Sequence, residues 1–191
     1  MGMETVIVRR EPKIPTRAPL FLLRETSHAA CVQIYLLKSW LLRERNVLQL
    51  STVERPESRQ GIPLMFTWRR VCQIALMEAL GRLCWLPSVA AKAAVIFSDV
   101  GEDGAEIAGC FGPDVTSRAP AELFPTGNTI LATRFLGGDS CEPRTEVHKI
   151  PDDMTFAEFW PLVTAGADGI SLVDCGAVVD RINARLGIET E

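Results

Sequence analysis

Eight side chains in the first half of the chain have the chemistry of a nucleic-acid contact. Six are cations, which pair with phosphate oxygens, and two are uncharged hydrogen-bonding groups suited to base edges. They fall on one predicted helix, in the polar turn after it, and in the first turn of the next helix. They are Gln33, Tyr35, Lys38, Arg43, Arg55, Arg59, Arg69 and Arg70. This pattern predicts a surface that contacts duplex DNA.

Each group also has a plainer structural interpretation. Gln33 and Tyr35 could belong to an ordinary exposed helix face, and Arg55 to a solubilising hairpin tip. Arg69 and Arg70 occupy a first helical turn, where the helix dipole disfavours cations. A phosphate contact would offset that cost, but surface arginines with solvated heads are the alternative.

The elements that position these side chains begin with two short helices. Residues 20–30 fit the first helix and residues 32–45 the second, whose buried stripe includes Leu37 and Trp40 at helical spacing. The small residues at the end of the first helix allow close packing between the two. The N-terminal part of the second helix would then meet the base edges.

An extended hairpin is predicted next. Residues 47–50 alternate like a strand, residues 54–61 form a polar turn, and residues 62–66 return. Thr67 can cap a third helix, and residues 88–95 form a fourth. Together these predict a helix pair followed by a wing and two further helices.

Charge divides the chain into unequal halves. Residues 1–95 contain fourteen Lys and Arg and seven Asp and Glu, whereas residues 96–191 contain six and seventeen. A positive half suits a polyanion, although two oppositely charged surfaces that dock on each other would give the same asymmetry. A Gly- and acid-rich segment, residues 98–104, marks the boundary, and a fragment ending near Asp99 is expected to fold alone. The predicted organisation is an extended basic arm (1–19), a winged-helix DNA-binding domain (20–98) and an acidic α+β domain (105–191).

The acidic half is predicted to be a small α+β unit. Its predicted elements are strands at residues 129–135, 145–150 and 170–174, a helix at 155–162 capped by Asp153, and a closing helix at 176–186 ended by Gly187.

The run Val32, Leu37, Lys38, Trp40, Arg43 and Val47–Leu48, followed by Phe66–Thr67 and an apolar helix, resembles the MerR-like winged helix-turn-helix family over about residues 20–97. The resemblance implies that the second helix enters the DNA major groove and that the wing contacts the backbone. The fold class expected is therefore α+β, an N-terminal winged helix-turn-helix followed by a small α+β domain.

The chain departs from the family at identifiable positions. Cys31 stands at the turn glycine before Val32, and Cys84 at a glycine common after the third helix. The basic run that usually ends the wing is missing, so Arg55 and Arg59 would take its place. The dimerising coiled coil and the metal-sensing cysteines of the family's sensors have no counterpart.

Several classes of function have no support in the residues. The six cysteines form no C-x-x-C pair, which predicts no metal site and a reducing, cytoplasmic location. No apolar run approaches a membrane span. Cys175 beside Asp174, with His148 as a conceivable partner, is interpreted as a buried thiol, and Asp152–Asp153 as a helix cap. We therefore expect no enzyme activity and no cofactor.

The expected function is sequence-specific binding of double-stranded DNA by a transcriptional regulator. Two alternatives remain: a phage-type architectural factor such as an excisionase or small terminase subunit, and a protein-interaction adaptor whose winged helix no longer binds DNA. A homodimer is expected, joined through the acidic half by Val178, Ile182 and Leu186 on the closing helix. The acidic half is also a candidate for contact with a protein partner or for sensing a ligand.

Overall fold

The computed structural model describes residues 13–42, 47–55, 63–100, 118–136 and 142–189. The fold of these residues is α+β, which confirms the predicted class. Its elements are β1 (Pro19–Leu22), α1 (Leu23–Ala29), α2 (Ile34–Leu42), β2 (Met65–Thr67), α3 (Trp68–Arg82), α4 (Pro87–Ser98), β3 (Asn128–Leu136), β4 (Arg144–Ile150), α5 (Phe156–Thr164), β5 (Ala167–Asp174) and α6 (Cys175–Leu186).

A three-stranded antiparallel sheet, in the order β4-β3-β5, lies between α5 on one face and α3 and α6 on the other. Side chains on successive strand residues point to opposite faces. Leu131 and Val173 therefore face α3 and α6, whereas Ala132 packs on the other face with Phe159 and Val163 of α5. All three predicted strands of the acidic half are confirmed.

One hydrophobic core runs through both halves of the chain. Residues 71–77 of α3 are all buried, and this helix contacts α1, α4, α6 and β5. From the C-terminal half, Val178 and Ile182 of α6 are buried in the same core, and Leu186 packs against it. The proposed dimer contact through these three residues is therefore wrong, because their side chains cover α1 and α3 of their own chain.

The N-terminal part of the chain differs from its prediction. Residues 19–22 form a strand, so the first helix begins at Leu23 rather than at Leu20. That strand pairs antiparallel with Met65–Thr67, with Leu22 opposite Met65. Residues 47–50 belong to no strand, so the predicted pairing of 47–50 with 62–66 is wrong. The backbone groups of Met65–Thr67 find their partners more than forty residues earlier in sequence, which local alternation could not reveal.

Capping residues predicted the ends of helices better than alternation predicted the pairing of strands. The Thr67 hydroxyl accepts a hydrogen bond from the Arg70 N–H and caps α3, as predicted. Gly187 ends α6 in the left-handed conformation, also as predicted. Asp153 does not cap α5. The Thr155 hydroxyl caps it by accepting from the Glu158 N–H, while the Glu158 carboxylate accepts from the Thr155 N–H in a capping box.

Two contacts fasten the C-terminal half to α4 and to the turn before it. Trp85 stacks on Phe135, with ring centroids 4.8 Å apart, and its indole N–H donates to the Ser171 hydroxyl at 2.9 Å. Arg118 is 1% exposed and donates to carbonyl oxygens at the end of α4, including those of Phe97 and Val100. Within the described segments, no helix has both the length and the apolar character needed to span a membrane.

Candidate nucleic-acid interface

Helices α1 and α2 are joined by a tight turn over residues 30–33. Ser27 fixes this turn twice: its carbonyl accepts from the Val32 N–H at 3.0 Å, and its hydroxyl donates to the Val32 carbonyl at 2.6 Å. Cys31 has a φ of 60°, in the left-handed region that favours glycine. The turn therefore requires a left-handed backbone at Cys31, which cysteine does not favour.

The N-terminal end of α2 is exposed, as predicted. The Gln33 carbonyl accepts the first helical hydrogen bonds of α2, from Leu36 and Leu37. Its side chain and that of Tyr35 are exposed, and Tyr35 is 68% accessible. Trp40 and Leu37 are buried, which confirms their prediction as core. Hydrogen-bonding groups thus face solvent while the opposite stripe fixes the helix.

Lys38 and Arg55 line the same cleft. It has a volume of about 300 Å³ and its remaining lining is apolar, with Leu23, Leu41 and Leu50 among the contributors. Both cationic residues are exposed. The structure thus brings together two of the predicted phosphate contacts, although seventeen positions separate them in sequence.

The position of Arg55 is set by its neighbour Glu54. The Glu54 carboxylate is completely buried and accepts from the N–H and hydroxyl groups of both Ser51 and Thr67. Burial alone raises the pKa of this carboxyl, but these hydrogen bonds and the charge of Arg70 outweigh it and lower the pKa below its ordinary value. The segment that carries Arg55 is therefore fastened to the start of α3.

Arg70 is occupied by internal partners. Its Nε lies 3.3 Å from Glu54 Oε2, its Nη1 lies 3.8 Å from Asp99 Oδ2, and Nη1 also donates to the Gln73 side-chain oxygen. Only 11% of the Arg70 side chain is exposed. The cost of a cation in the first helical turn is thus offset within the protein, without any phosphate.

Arg69 is half-buried. Its Nε is buried without a hydrogen-bond partner, and its backbone N–H donates to the Thr16 carbonyl at 3.4 Å. Burial lowers the pKa of Arg69, and the nearby charge of Arg17 lowers it further. The two remaining predicted contacts, Arg43 and Arg59, lie outside the described residues.

A second cleft contains cations that the sequence pattern did not single out. This space of about 410 Å³ is lined by Arg24 and His28 of α1, by Gln33 just before α2, and by Arg185 of α6. Arg185 Nη1 donates to the His28 carbonyl at 2.7 Å. Arg24 could have been suspected from its place in the first predicted helix. Arg185 could not, because 157 positions separate it from His28 and nothing local signals their contact.

The cations differ in whether they have an acidic partner. Outside the two clefts, some cations are paired with a carboxylate within 4 Å and others, among them Arg17, Arg69 and Arg181, have no such partner in the described segments. The paired ones include Arg70, Arg82, Lys92, Arg134 and Arg144. Among the described residues, no carboxylate lies that close to any of the four cations that line the two clefts. Those four are Arg24, Lys38, Arg55 and Arg185.

The interpretation of Cys175 as a buried thiol is confirmed. Cys175 is fully buried, and the Asp174 carboxylate caps α6 by accepting from the Ala177 N–H at 3.1 Å. Burial raises the pKa of the Cys72 thiol, and neighbouring Cys175 adds to the shift. In the part of the chain that is described, no group of three or more His, Cys, Asp and Glu residues is arranged to hold a metal ion.

Four cations without carboxylate partners in the described segments therefore line two clefts, and Gln33 at the exposed start of α2 lines one of them. Such a surface can accept phosphate oxygens and present hydrogen-bonding groups to bases. No protein-family model and no curated protein sequence matches the chain.

Proposed function

We propose that the protein binds double-stranded DNA through α1, the turn and α2, and acts as a transcriptional regulator of the MerR-like type. One observation carries the proposal: the cations beside the exposed end of α2 have no carboxylate partner among the described residues, unlike Arg70 or Arg82. Cations kept apart from acidic groups remain available to phosphates. The hydrogen-bonding side chains of Gln33 and Tyr35 then lie where base edges would be read.

The backbone supports the MerR-like assignment at two positions. Cys31 and Cys84 stand where that family commonly has glycine, and both have positive φ, of 60° and 68°. Only three non-glycine residues with positive φ occur in the described segments, the third being Ala121. Two turns therefore have the backbone that glycine favours, although the glycines themselves have been replaced.

The adaptor alternative has one observation in its favour. Leu83, Leu86 and Phe135 are exposed apolar side chains around a cleft of about 440 Å³ next to Trp85. Such a patch suits a protein partner. It lies at the junction of the two halves and involves none of the eight residues that the sequence predicts to contact DNA, so it is compatible with either function.

Self-association remains part of the proposal, although Val178, Ile182 and Leu186 cannot supply its contact because they pack in the core of their own chain. The four described free thiols fit a reducing compartment, and we propose a cytoplasmic location. Light scattering at micromolar concentration, with and without bound DNA, separates dimer from monomer.

A phage-type architectural factor would use the same surface and is distinguished by strong bending of the bound duplex.

The proposal is tested by selecting bound sequences from random duplex DNA and then measuring affinity across a salt series. Wild-type affinity should fall by about 0.9 log units per log unit of salt for each phosphate contact. Lys38→Gln and Arg55→Gln should each flatten that slope by about one contact. Arg82→Gln is the matched control, because Arg82 pairs with Glu78 at 3.1 Å on α3. Wild-type protein without DNA affinity at about 50 mM salt, where electrostatic attraction is strong, would favour the adaptor.

A further inference from the structure

The cleft between α1 and α6 has the features of a phosphate contact formed by both halves of the chain. Arg24 comes from the first turn of α1, and Arg185 comes from the last turn of α6. Both side chains are exposed, and both line the cleft together with Gln33. The lining also includes His28, Ser27 and Cys31, and none of its described members is acidic.

We propose that Arg185, together with Arg24, binds a backbone phosphate of the duplex and that the acidic half is thereby part of the DNA interface. This inference rests on the proposed function. Guanidinium groups bind phosphate oxygens through several N–H donors at once. Because Gln33 begins α2 and lines the same cleft, a phosphate held there lies beside the helix proposed to enter the major groove.

The hydrogen bond from Arg185 to the His28 carbonyl supports this role. It uses one of the five N–H donors of the guanidinium and holds the side chain over the end of α1. For the remaining N–H donors of Arg185, no carboxylate or other acceptor lies within hydrogen-bonding distance among the described residues. Arg185 is therefore oriented by the protein and still able to bind an anion.

Neighbouring acidic side chains are engaged elsewhere or lie outside the cleft. The Glu25 carboxylate accepts from the Leu22 N–H at 2.7 Å and caps α1. Asp180, five residues earlier on α6, is exposed and does not line the cleft. The charge of the acidic half as a whole thus does not prevent a local phosphate contact at the end of α6.

The test uses the full-length protein and the duplex selected above. Arg24→Gln and Arg185→Gln should each flatten the salt dependence of affinity, by at most about 0.9 log units per log unit of salt, because the two residues share one phosphate contact. Arg185→Lys keeps the charge and should retain most of the wild-type slope. Arg82→Gln, the ion-paired control, should leave it unchanged.

Thermal unfolding of each variant checks that the fold is retained. Arg24 makes no side-chain hydrogen bond or ion pair to a described residue, so Arg24→Gln carries the test if Arg185→Gln proves unstable. Wild-type slopes in both folded variants would overturn this inference and leave the proposed function intact. Failure of the wild-type protein to bind DNA would instead remove both.

Discussion

Glu54 and Arg70 form a buried ion pair that joins the segment before the second strand to the central helix, with Glu54 Oε2 3.3 Å from Arg70 Nε. Five donors converge on this one carboxylate, from Ser51, Thr67 and Arg70. Breaking one partner of a buried pair leaves the other charge uncompensated. The arrangement of Arg55 beside Lys38 consequently depends on a residue that itself touches no solvent.

Replacing Glu54 with Gln should lower the free energy of unfolding by about 3–5 kcal/mol, the cost typical of removing one partner from a buried ion pair. Urea denaturation followed by circular dichroism measures it. Glu142→Gln is the control: Glu142 forms an exposed pair with Lys92 at 3.5 Å, and such pairs contribute little. Equal stabilities for the two variants would show that the Glu54 pair is not stabilising.

Acid should weaken the wild-type protein more than the Glu54→Gln variant. The pKa of Glu54 is depressed in the folded state, so its contribution is present above the ordinary value of 4.5 and is lost as pH falls through the lower folded pKa. Denaturation curves at about pH 6 and about pH 3 measure the change for each protein. An identical pH dependence for both proteins would contradict this assignment.

Glycine at Cys31 or Cys84 should stabilise the fold. A left-handed backbone destabilises the folded state by about 1–2 kcal/mol for a residue other than glycine, and glycine removes this strain. Glycine also has more conformational freedom in the unfolded chain, which lowers the free energy of unfolding by about 0.5–1 kcal/mol. We therefore expect a net stabilisation of about 0.5–1 kcal/mol for each substitution. Cys31→Ala and Cys84→Ala are the controls, because alanine keeps the Cβ and therefore the backbone strain. Thermal unfolding that ranks alanine above glycine would contradict the argument.

Tyr35→Ala should reduce discrimination between DNA sequences without destabilising the protein. Loss of a good base contact costs roughly 1–3 kcal/mol on the preferred site, whereas affinity for unrelated DNA should change little. Phe156→Ala is matched in exposure, at 69% against 68% for Tyr35, and lies on α5. Competition between selected and random duplexes measures the ratio. Unchanged discrimination in Tyr35→Ala would remove Tyr35 from the interface.

A fragment ending at Asp99 should fail to fold cooperatively. The sequence predicts an independent first domain. However, α6 packs against α1 and α3, so truncation would expose the apolar side chains that pack against Val178 and Ile182. Adding a separate fragment of residues 100–191 should restore the helical signal. A folded, soluble 1–99 fragment would support the original two-domain prediction.

The elements that sequence patterns predicted correctly are those with local causes. Thr67 is followed by an apolar helix it can cap, and Gly187 supplies the left-handed residue after α6. The failures involve partners distant in sequence. Leu22 opposite Met65 could not be read from alternation, because either segment alone is compatible with several structures.

The candidate site shows the same division. Exposure of Tyr35 followed from helical periodicity, since Trp40 and Leu37 define the opposite stripe. The contact between Arg70 and Glu54 could not be predicted from periodicity, because no local pattern indicates that a carboxylate sixteen residues earlier packs against this guanidinium. Arg185 belongs to the same class as Glu54: its place depends on how α6 packs.

The packing of α6 on α1 also has a consequence for synthesis of the chain. His28 and Arg185 are 157 positions apart, so at about 5–20 residues per second the ribosome needs roughly 8–30 s to make the partner that completes the first helix. Until then, the apolar faces of α1 and α3 emerge without their cover. The native surface of α1 can therefore form only after α6 has been synthesised, and until then the nascent chain is prone to aggregation and to binding by chaperones.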